Sequence, residues 1–253
     1  MTAYRYIRLG KLSAHKQGRD WRIKKADLDL LVANATDSGS VAESADWMQR
    51  FYNRVMAFDD KGAWLTVEAA MASGLDPIQA YTTVVSPALF NAGDQWSTGA
   101  VSVAESHAAT TVCRNVVGRL SLHSSRRGIS KGTIVLACPQ GERHQLPAAI
   151  AAGIFKASGY ETVNCGAGVP LPAFVELVAA TPRLIAVGIS ATMPDTQLAI
   201  AEMTTAVKDQ MPEATVMVGG SVVETLEPGE TLGAEIVAPT ALTGLAELQL
   251  LDD

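Results

Sequence analysis

The sequence predicts an α/β protein in which a four-helix bundle precedes a parallel-sheet domain and a short basic element precedes both. Between residues 41 and 123, apolar residues recur at spacings of three and four, the pattern of amphipathic helices. From Gly132 onward, short β-rich runs alternate with helical stretches, the pattern of a mostly parallel sheet with helical crossovers. We expect domains over residues 1–35, 40–127 and 130–253.

Composition indicates a soluble globular protein. The chain has 253 residues, of which 48% are hydrophobic and 18% charged, so it carries enough apolar residues to build packed cores. No uninterrupted apolar run reaches the roughly 18 residues of a membrane span, and the first residues lack the apolar core of a signal peptide. We therefore expect a cytoplasmic protein. Its three cysteines have no metal-ligand spacing.

The charge is unevenly distributed along the chain. Residues 1–35 hold eight Lys and Arg against three Asp, a net charge of +5, which leaves −11 for the rest of a chain whose formal charge is −6. Such asymmetry indicates a polyanion-binding element, although a short basic stretch is also common on a solvated surface.

The basic segment reads as helix, wing and helix: "TAYRYIRLG", then "KLSAHKQGRDWRI" with a Gly-Arg-Asp turn, then "KKADLDLLVAN". It resembles the second half of an excisionase-like or MerR-type winged helix-turn-helix, with a recognition helix at 4–9 and a wing at 19–23. The usual preceding helix is missing, so we expect a truncated DNA reader. The resemblance implies operator DNA contacts through Tyr4, Arg5, Arg8, Lys16, Arg19 and Arg22.

The four bundle helices are predicted at 41–58, 62–73, 77–95 and 100–123. They are separated by the breaker segments "DDKG", "SGLDP" and "WSTGA". Pro77 suits a first helical turn.

Five strands are predicted from the runs "TIVLACP", "ETVNCG", "LIAVGIS", "TVMVGG" and "AEIVAP". Helices are expected near 147–158, 171–180, 194–210, 221–227 and 241–251. Ligands of such sheets bind outside the carboxyl ends of the strands. The informative loops therefore follow residues 137, 165, 189 and 218.

Those loops carry a small set of polar residues and glycines. Glu142 and His144 are two residues apart, so the carboxylate is able to hold one ring nitrogen and leave the other as a ligand or base; a surface histidine is the alternative. Ser190-Ala191-Thr192 follows the third strand, where Ser190 is otherwise a helix N-cap. Gly219-Gly220 follows the fourth, where a tight turn is the alternative.

Taken together behind a helical bundle, these loops resemble the cobalamin-binding module of methionine synthase, corrinoid proteins and CarH/LitR-type photoreceptors. The resemblance implies a Rossmann-like (flavodoxin-like) domain in which His144 is the lower axial cobalt ligand and Glu142 orients it. Ser190, Gly219 and Gly220 would line the slot for the nucleotide tail, and Thr192 would be a further cofactor-binding residue. The segment "YETVNCGAGVPLPAFVELV" also resembles the module, so that Val169 and Pro170 would flank the corrin. Pro147 stands where the family motif has Gly, and a first helical turn tolerates it.

The bundle segment "GDQWSTGAVSVAESHAATTVC" resembles the signature of the light-sensing regulators, in which a Trp and a Glu-His pair cover the upper face of adenosylcobalamin. Trp96 and His107 match it, whereas Ser106 occupies the Glu position. Glu105 is an unsuitable substitute because adjacent helical residues point about 100° apart. For Trp96, a core aromatic at the bundle end is the alternative. Ser97 replaces the histidine that follows the Trp in some of these receptors.

The resemblance favours a cobalamin-binding, light-responsive transcriptional regulator that uses adenosylcobalamin, is not an enzyme and forms homo-oligomers. Two alternatives remain. One is a cobalamin- or tetrapyrrole-binding antirepressor that acts through protein contacts, and the other is a corrinoid methyl carrier of a methyltransferase system.

Overall fold

The computed structural model describes residues 14–17, 20–23, 39–124 and 128–252. The chain divides into two compact units, Met1–Trp47 and Met48–Asp253. The domain boundaries expected from the sequence divide the chain more finely and stay a prediction. Within the described residues, no helix combines the length and the apolar character needed to cross a membrane.

In the first unit, strand β1 (Ala14–Gln17) pairs antiparallel with strand β2 (Asp20–Ile23). The extended arms predicted on either side of the Gly-Arg-Asp turn are therefore present. The predicted helices at 4–9 and 24–34 lie outside the described residues. Four of the predicted DNA contacts also lie outside the described residues: Tyr4, Arg5, Arg8 and Arg19. The predicted DNA contacts of Lys16 and Arg22 stay predictions.

The four predicted bundle helices are confirmed. They are α1 (Gly39–Met56), α2 (Asp60–Ala72), a composite third helix, and α5 (Val103–His123). The third helix runs from α3 (Pro77–Gln79) through a π-helical turn (Ala80–Val85) into α4 (Ser86–Ser97). Helix starts follow from side-chain caps, because Asp76 with Gln79, and Ser102 with Glu105, form reciprocal capping boxes that satisfy free backbone N–H groups.

The sheet has five strands, all parallel, in the order β4-β3-β5-β6-β7. Its strands are β3 (Thr133–Ala137), β4 (Glu161–Asn164), β5 (Leu184–Ser190), β6 (Thr215–Gly219) and β7 (Ile236–Ala238). Apart from the edge strand β4, the strands are nearly continuous apolar runs, as expected where helices cover both faces of a parallel sheet. This is the predicted Rossmann-like, flavodoxin-like architecture.

The crossover helices are α6 (Leu146–Ala157), α7 (Leu171–Ala180) and α8 (Gln197–Gln210), and α9 (Ala241–Asp252) follows the last strand. Two helical predictions need correction. The stretch predicted at 194–210 starts with a 3₁₀ turn, Pro194–Thr196, before α8 begins. The stretch predicted at 221–227 is only a 3₁₀ turn, Ser221–Thr225, because it is too short to build a helical hydrogen-bond ladder.

The bundle packs on the sheet domain through α6. Tyr81, fully buried in the π-helical turn, directs its hydroxyl at Gly153 of α6, where a Cβ atom would lie 2.2 Å from that oxygen. The same hydroxyl donates to the carbonyl of Val117 on α5 at 3.5 Å. A glycine is therefore required where the third bundle helix meets the sheet domain.

The strand order creates a crevice at one place. After β3, the chain adds β4 as the neighbour of β3 at one edge of the sheet. It then returns to add β5 next to β3 in the opposite direction, and β6 and β7 follow in that direction. The carboxyl ends of β3 and β5 therefore flank the topological switch point, the usual ligand site of such sheets. The loop with Glu142 and His144 follows β3, and the loop with Thr192 follows β5.

Candidate functional site

Three loops at the carboxyl edge of the sheet make up the candidate site. We call them the histidine loop (residues 138–145, after β3), the threonine loop (191–193, after β5) and the diglycine loop (219–222, at the end of β6). Because β3, β5 and β6 are neighbours in the sheet, the loops lie side by side. Their polar contacts join all three.

Glu142 is the buried centre of the histidine loop, with 2% of its surface exposed. One carboxylate oxygen, Oε1, accepts the backbone N–H groups of Arg143 and His144, both at 2.7 Å. The other, Oε2, accepts those of Thr192 at 2.5 Å and Met193 at 3.0 Å. The carboxylate therefore holds the histidine loop and the threonine loop together.

These hydrogen bonds keep Glu142 ionised. Burial by itself raises the pKa of this carboxyl, but the backbone N–H groups of Thr192, His144 and Met193 and the ring of His144 outweigh it. The net result lowers the pKa of Glu142 from 4.5 to about 2. A buried carboxylate is tolerated here because its oxygens are saturated with donors.

His144 is held at one ring nitrogen only. Its Nδ1 lies 2.7 Å from Oε1 of Glu142, while 57% of the side chain is exposed. A ring N–H facing a carboxylate places the proton on Nδ1 and leaves the lone pair on Nε2. No described residue hydrogen-bonds to Nε2. The structure thus provides the arrangement that the two-residue spacing predicts: an oriented imidazole with a free ligand atom.

Thr192 contributes more than the sequence indicates. Its hydroxyl lies 2.7 Å from Nδ1 of His144 and 3.2 Å from Oε2 of Glu142. The sequence places Thr192 at a strand end but not against the histidine. Only the adjacency of β3 and β5 in the sheet brings together residues 48 positions apart.

The remaining predicted slot residues lie at the ends of β5 and β6. Ser190 ends β5 and is 9% exposed, and no described residue hydrogen-bonds to its hydroxyl. It is not the N-cap of the next helix, because that helical segment starts at Pro194 without a side-chain cap. Gly220 has φ +96° and a Cβ atom there would lie 2.2 Å from the carbonyl oxygen of Ala191. At Gly219 a Cβ atom would lie 3.0 Å from the carbonyl oxygen of Ala238.

Three more of the residues singled out in the sequence lie at the N-terminal ends of helices: Val169 and Pro170 at α7, and Pro147 at α6. Val169 is partly buried against the sheet core, and its N–H donates to the carbonyl of Cys138 at 3.3 Å. Pro170 is exposed and is the N-cap residue of α7. Pro147 lies in the first turn of α6, as predicted. The roles of Val169 and Pro170 beside a corrin stay predictions.

At the end of the bundle, two of the three predicted residues, Trp96 and His107, are exposed. Trp96 keeps 49% of its surface exposed, so it is not a core aromatic. On α5, Ser106 is half-buried and His107 exposed. Glu105 is engaged in the capping box, where its carboxylate accepts the N–H of Ser102 at 2.9 Å. This contact gives a second reason why Glu105 does not replace the missing Glu at position 106.

The histidine suits a metal that brings most of its own ligands. A protein metal centre usually needs three or four side chains, and the described residues contain no group of three His, Cys, Asp or Glu side chains placed to share an ion. His144 alone offers one nitrogen. That nitrogen fits a cobalt ion whose equatorial positions are filled by a corrin ring.

Comparison with known families agrees with this chemistry. Residues 132–248 match the family described as B12 binding domain, and residues 47–121 match a second family with the same description. Residues 1–36 match the helix-turn-helix domain family. These matches support cobalamin binding by the part of the chain that contains the bundle and the sheet.

Similar proteins are corrinoid proteins. Trimethylamine corrinoid protein 2 of Methanosarcina mazei is 26% identical over 207 residues, covering 78% of this chain and 92% of that protein. The trimethylamine corrinoid protein of Methanosarcina barkeri is 26% identical over 202 residues, covering 76% and 90%. The structure of the monomethylamine corrinoid protein of Methanosarcina barkeri superposes with a TM-score of 0.68 at 16% identity, covering 81% of this chain and 98% of that one. The last match bears on the fold alone.

Proposed function

We propose that this protein, which carries a cobalamin-binding module, is a corrinoid methyl carrier that presents a cobalt-bound methyl group to partner methyltransferases. His144 would be the lower axial ligand and Glu142 its orienting partner. The observation that carries the proposal is the imidazole of His144, fixed at Nδ1 by a buried carboxylate and free at Nε2, at the switch point of the sheet. The slot for the nucleotide tail would lie beside Ser190, Gly219 and Gly220.

The residues have a clear division of labour in such a carrier. A bound corrin would supply the cobalt that accepts and releases the methyl group, and His144 would hold that cobalt. Glu142 keeps the proton of the imidazole on Nδ1, so that Nε2 stays a donor to the metal. Since the carboxylate stays ionised far below neutral pH, it remains available to accept the Nδ1 hydrogen throughout the physiological range.

The similarity to trimethylamine corrinoid proteins supports the carrier function. It extends over about nine tenths of those proteins' length, so it includes the bundle as well as the sheet. The light-responsive regulator expected from the bundle signature has no comparable support among these relatives. A carrier alone would not be a catalyst, in line with the expectation of a non-enzyme.

A second candidate function is a cobalamin-dependent regulator. It is favoured by the match of residues 1–36 to a helix-turn-helix domain and by the hairpin of β1 and β2 at the position of the wing. In its light-responsive form, adenosylcobalamin would lie beneath Trp96 and His107, and loss of the adenosyl group would change the assembly. In its antirepressor form, the protein would act without binding DNA.

Absorbance spectra of the purified protein with hydroxo-, methyl- and adenosylcobalamin, recorded in the dark, test the shared premise. We expect binding with a spectrum that His144→Ala abolishes and that the control His123→Ala, at the end of α5, leaves intact. If no cobalamin binds, both functions are wrong.

Gel filtration and DNA binding before and after green light separate the two functions. For the carrier, we expect methylcobalamin to be held in a His144-dependent form, with an assembly that light does not change and no DNA complex. A light-dependent change of assembly in the adenosylcobalamin form would favour the regulator instead.

A further inference from the structure

Helix α9, which follows the last strand of the sheet, has a well-packed inner face. Gly244, Leu245 and Leu248 are buried against the sheet. A Cβ atom at Gly244 would lie 3.4 Å from the Cβ atom of Ala238 in β7, so the helix lies close to its strand. These residues account for the packing of α9 within one copy of the chain.

The outer face of α9 is apolar as well, and it is exposed. Leu242, Ala246 and Leu250 recur at spacings of four, so they share one stripe along the helix, which we call the α9 stripe. Leu242 keeps 41% of its surface exposed and Leu250 keeps 75%. Between residues 241 and 251 the sequence has a single charged residue, Glu247, which is half-buried. A helix that is apolar on all sides is normally covered on all sides, so we expect another surface to cover the α9 stripe.

A single exposed leucine would not support this expectation, as helix α8 illustrates. Leu198 of α8 is 74% exposed, but Glu202 and Asp209 are exposed on the same helix. Such a mixture is typical of a solvated helix face. The α9 stripe differs because its exposed leucines have no exposed charged residue between them.

The pattern of the α9 stripe fits a second copy of the same helix. Leu242 and Leu250 lie four residues to either side of Ala246, so the stripe is the same in both chain directions. A two-fold axis at Ala246 would set two helices antiparallel and place Leu242 of each copy against Leu250 of the other. The small side chain of Ala246 lies where the helices would cross, which permits a close approach. The antiparallel arrangement also brings opposite ends of the two helix dipoles together.

The distribution of charge favours the same contact. Residues 36–253 carry a net charge of −11, so two copies repel each other over much of their surface. The uncharged α9 stripe is a place where they approach at low electrostatic cost, whereas a basic partner would need acidic residues there. The twelve residues of α9 span only about 18 Å, so the interface is small and the association should be reversible.

We propose that α9 is a homodimer interface of this protein, in which two α9 helices pack antiparallel about a two-fold axis at Ala246. The contact uses none of the three loops of the candidate site. It is therefore independent of the proposed function, and its failure would leave the proposed corrinoid binding unchanged.

Sedimentation velocity of the 253-residue chain over a range of concentrations tests the proposal. We expect a monomer that converts reversibly to a dimer as the concentration rises. Leu250→Glu and Leu242→Lys should each weaken the dimer about 10-fold or more, because each puts a charge into an apolar contact. The two substitutions combined in one chain place opposite charges against each other across the axis and should restore part of the affinity.

Leu198→Glu is the matched control, since it adds the same charge at an exposed leucine of α8. It should leave the dimer unchanged. Leu242, Leu250 and Leu198 are all exposed, so the melting temperature at a concentration where the wild type is monomeric should be the same in all variants.

Oxidation of Ala246→Cys tests the symmetry of the contact. Only a contact between identical surfaces brings residue 246 of one copy next to residue 246 of the other. We expect a disulfide-linked dimer in Ala246→Cys, but not in Thr205→Cys, which is exposed on α8. The wild type is the blank, because its own cysteines are buried or half-buried.

Three results would overturn the inference. A wild type that stays monomeric at every concentration would leave the α9 stripe to a different protein. A dimer that neither Leu250→Glu nor Leu242→Lys weakens would use another face. If the single variants weaken the dimer but the combined variant does not restore it and Ala246→Cys does not cross-link, the two-fold axis at Ala246 is wrong. Should Leu242→Lys not fold, Leu250→Glu and Ala246→Cys still decide.

Discussion

The carboxyl edge of the sheet and the end of the bundle differ in how firmly their predicted site residues are held. At the sheet edge, Glu142 is buried and its carboxylate fixes His144 through a hydrogen bond of 2.7 Å. At the bundle end, Trp96 keeps 49% of its surface exposed, and His107 is exposed on α5. At the sheet edge, burial and hydrogen bonds thus fix the proposed ligand His144. At the bundle end, the side chains of Trp96 and His107 are exposed and are not buried in this way.

This difference has a functional meaning for a carrier. A permanent ligand benefits from a rigid setting, because orienting it in advance avoids an entropic cost on binding. The opposite side must admit partner proteins, so loosely held exposed side chains are compatible with exchange there. Four predictions test the comparison, in order of decreasing effect.

The largest effect is expected from Glu142→Ala. It leaves the backbone N–H groups of residues 143, 144, 192 and 193 without their acceptor, and removing one partner from a buried charged network typically costs about 3–5 kcal/mol. The matched variant at the bundle end is Glu105→Ala, which removes an exposed capping-box carboxylate and should cost much less than Glu142→Ala. Urea unfolding measures both. Equal losses would contradict the comparison.

The contribution of the Glu142 carboxylate to stability should also be lost at acid pH. The pKa of Glu142 is about 2 in the folded protein and 4.5 without these contacts, so its contribution to stability is complete above the higher value. As the pH falls from about 5 toward 2, the folded protein resists protonation of this group and that contribution is lost. The wild type should therefore lose more stability than Glu142→Gln across this window. Urea unfolding as a function of pH gives the difference, and parallel curves would show that Glu142 is not the group responsible.

Gly220→Ala should destabilise the protein more than Gly99→Ala. Both glycines have positive φ, +96° and +75°, which strains an alanine, and Gly220 with ψ −178° lies in a region open almost only to glycine. Only at Gly220 would the new methyl group meet backbone, 2.2 Å from the carbonyl oxygen of Ala191, whereas Gly99 has open space around it. Thermal unfolding should show a clearly larger shift for Gly220→Ala. A similar shift for both variants would mean that the diglycine loop moves aside easily.

The smallest effect is expected from Trp96→Ala and His107→Ala in the ligand-free protein. Exposed side chains outside a packed core usually change stability by no more than about 0.5 kcal/mol. Their effect should emerge only with adenosylcobalamin, and only if they cover its upper face, as a change in affinity or in the rate of photolysis. A large loss of stability without cofactor would show that the bundle end is more firmly packed than its exposure indicates.

Much of the architecture follows from local patterns. The four bundle helices, five strands and alternating crossovers are marked by periodicity and by breakers such as Gly74 and Gly99. Where the prediction failed, the reason is a local hydrogen-bond choice, as in the 3₁₀ turn Ser221–Thr225 that was expected as a helix. The π-helical turn Ala80–Val85 has no sequence signal of its own, and it carries Tyr81, which packs against Gly153 of α6.

The functional assignment shows a similar limit. The loops at Glu142 and His144, Ser190 and Gly219-Gly220 together indicate a cobalamin module, and the two-residue spacing predicts that the carboxylate of Glu142 reaches the ring of His144. The bundle signature at Trp96 and His107 pointed to a photoreceptor, whereas the similar proteins of matching length are corrinoid proteins. Two exposed residues on one bundle are too few to distinguish a light sensor from a carrier.

By itself, the sequence determined the order of helices and strands, the loops in which polar residues occur and the pairing of Glu142 with His144, since all of these depend on residues close together in the chain. Only the tertiary structure decided that Thr192 and Met193 complete the carboxylate network and that Ser221 ties it to the diglycine loop. Those contacts join residues on different strands, and strand order is set by how the helices pack on both faces of the sheet.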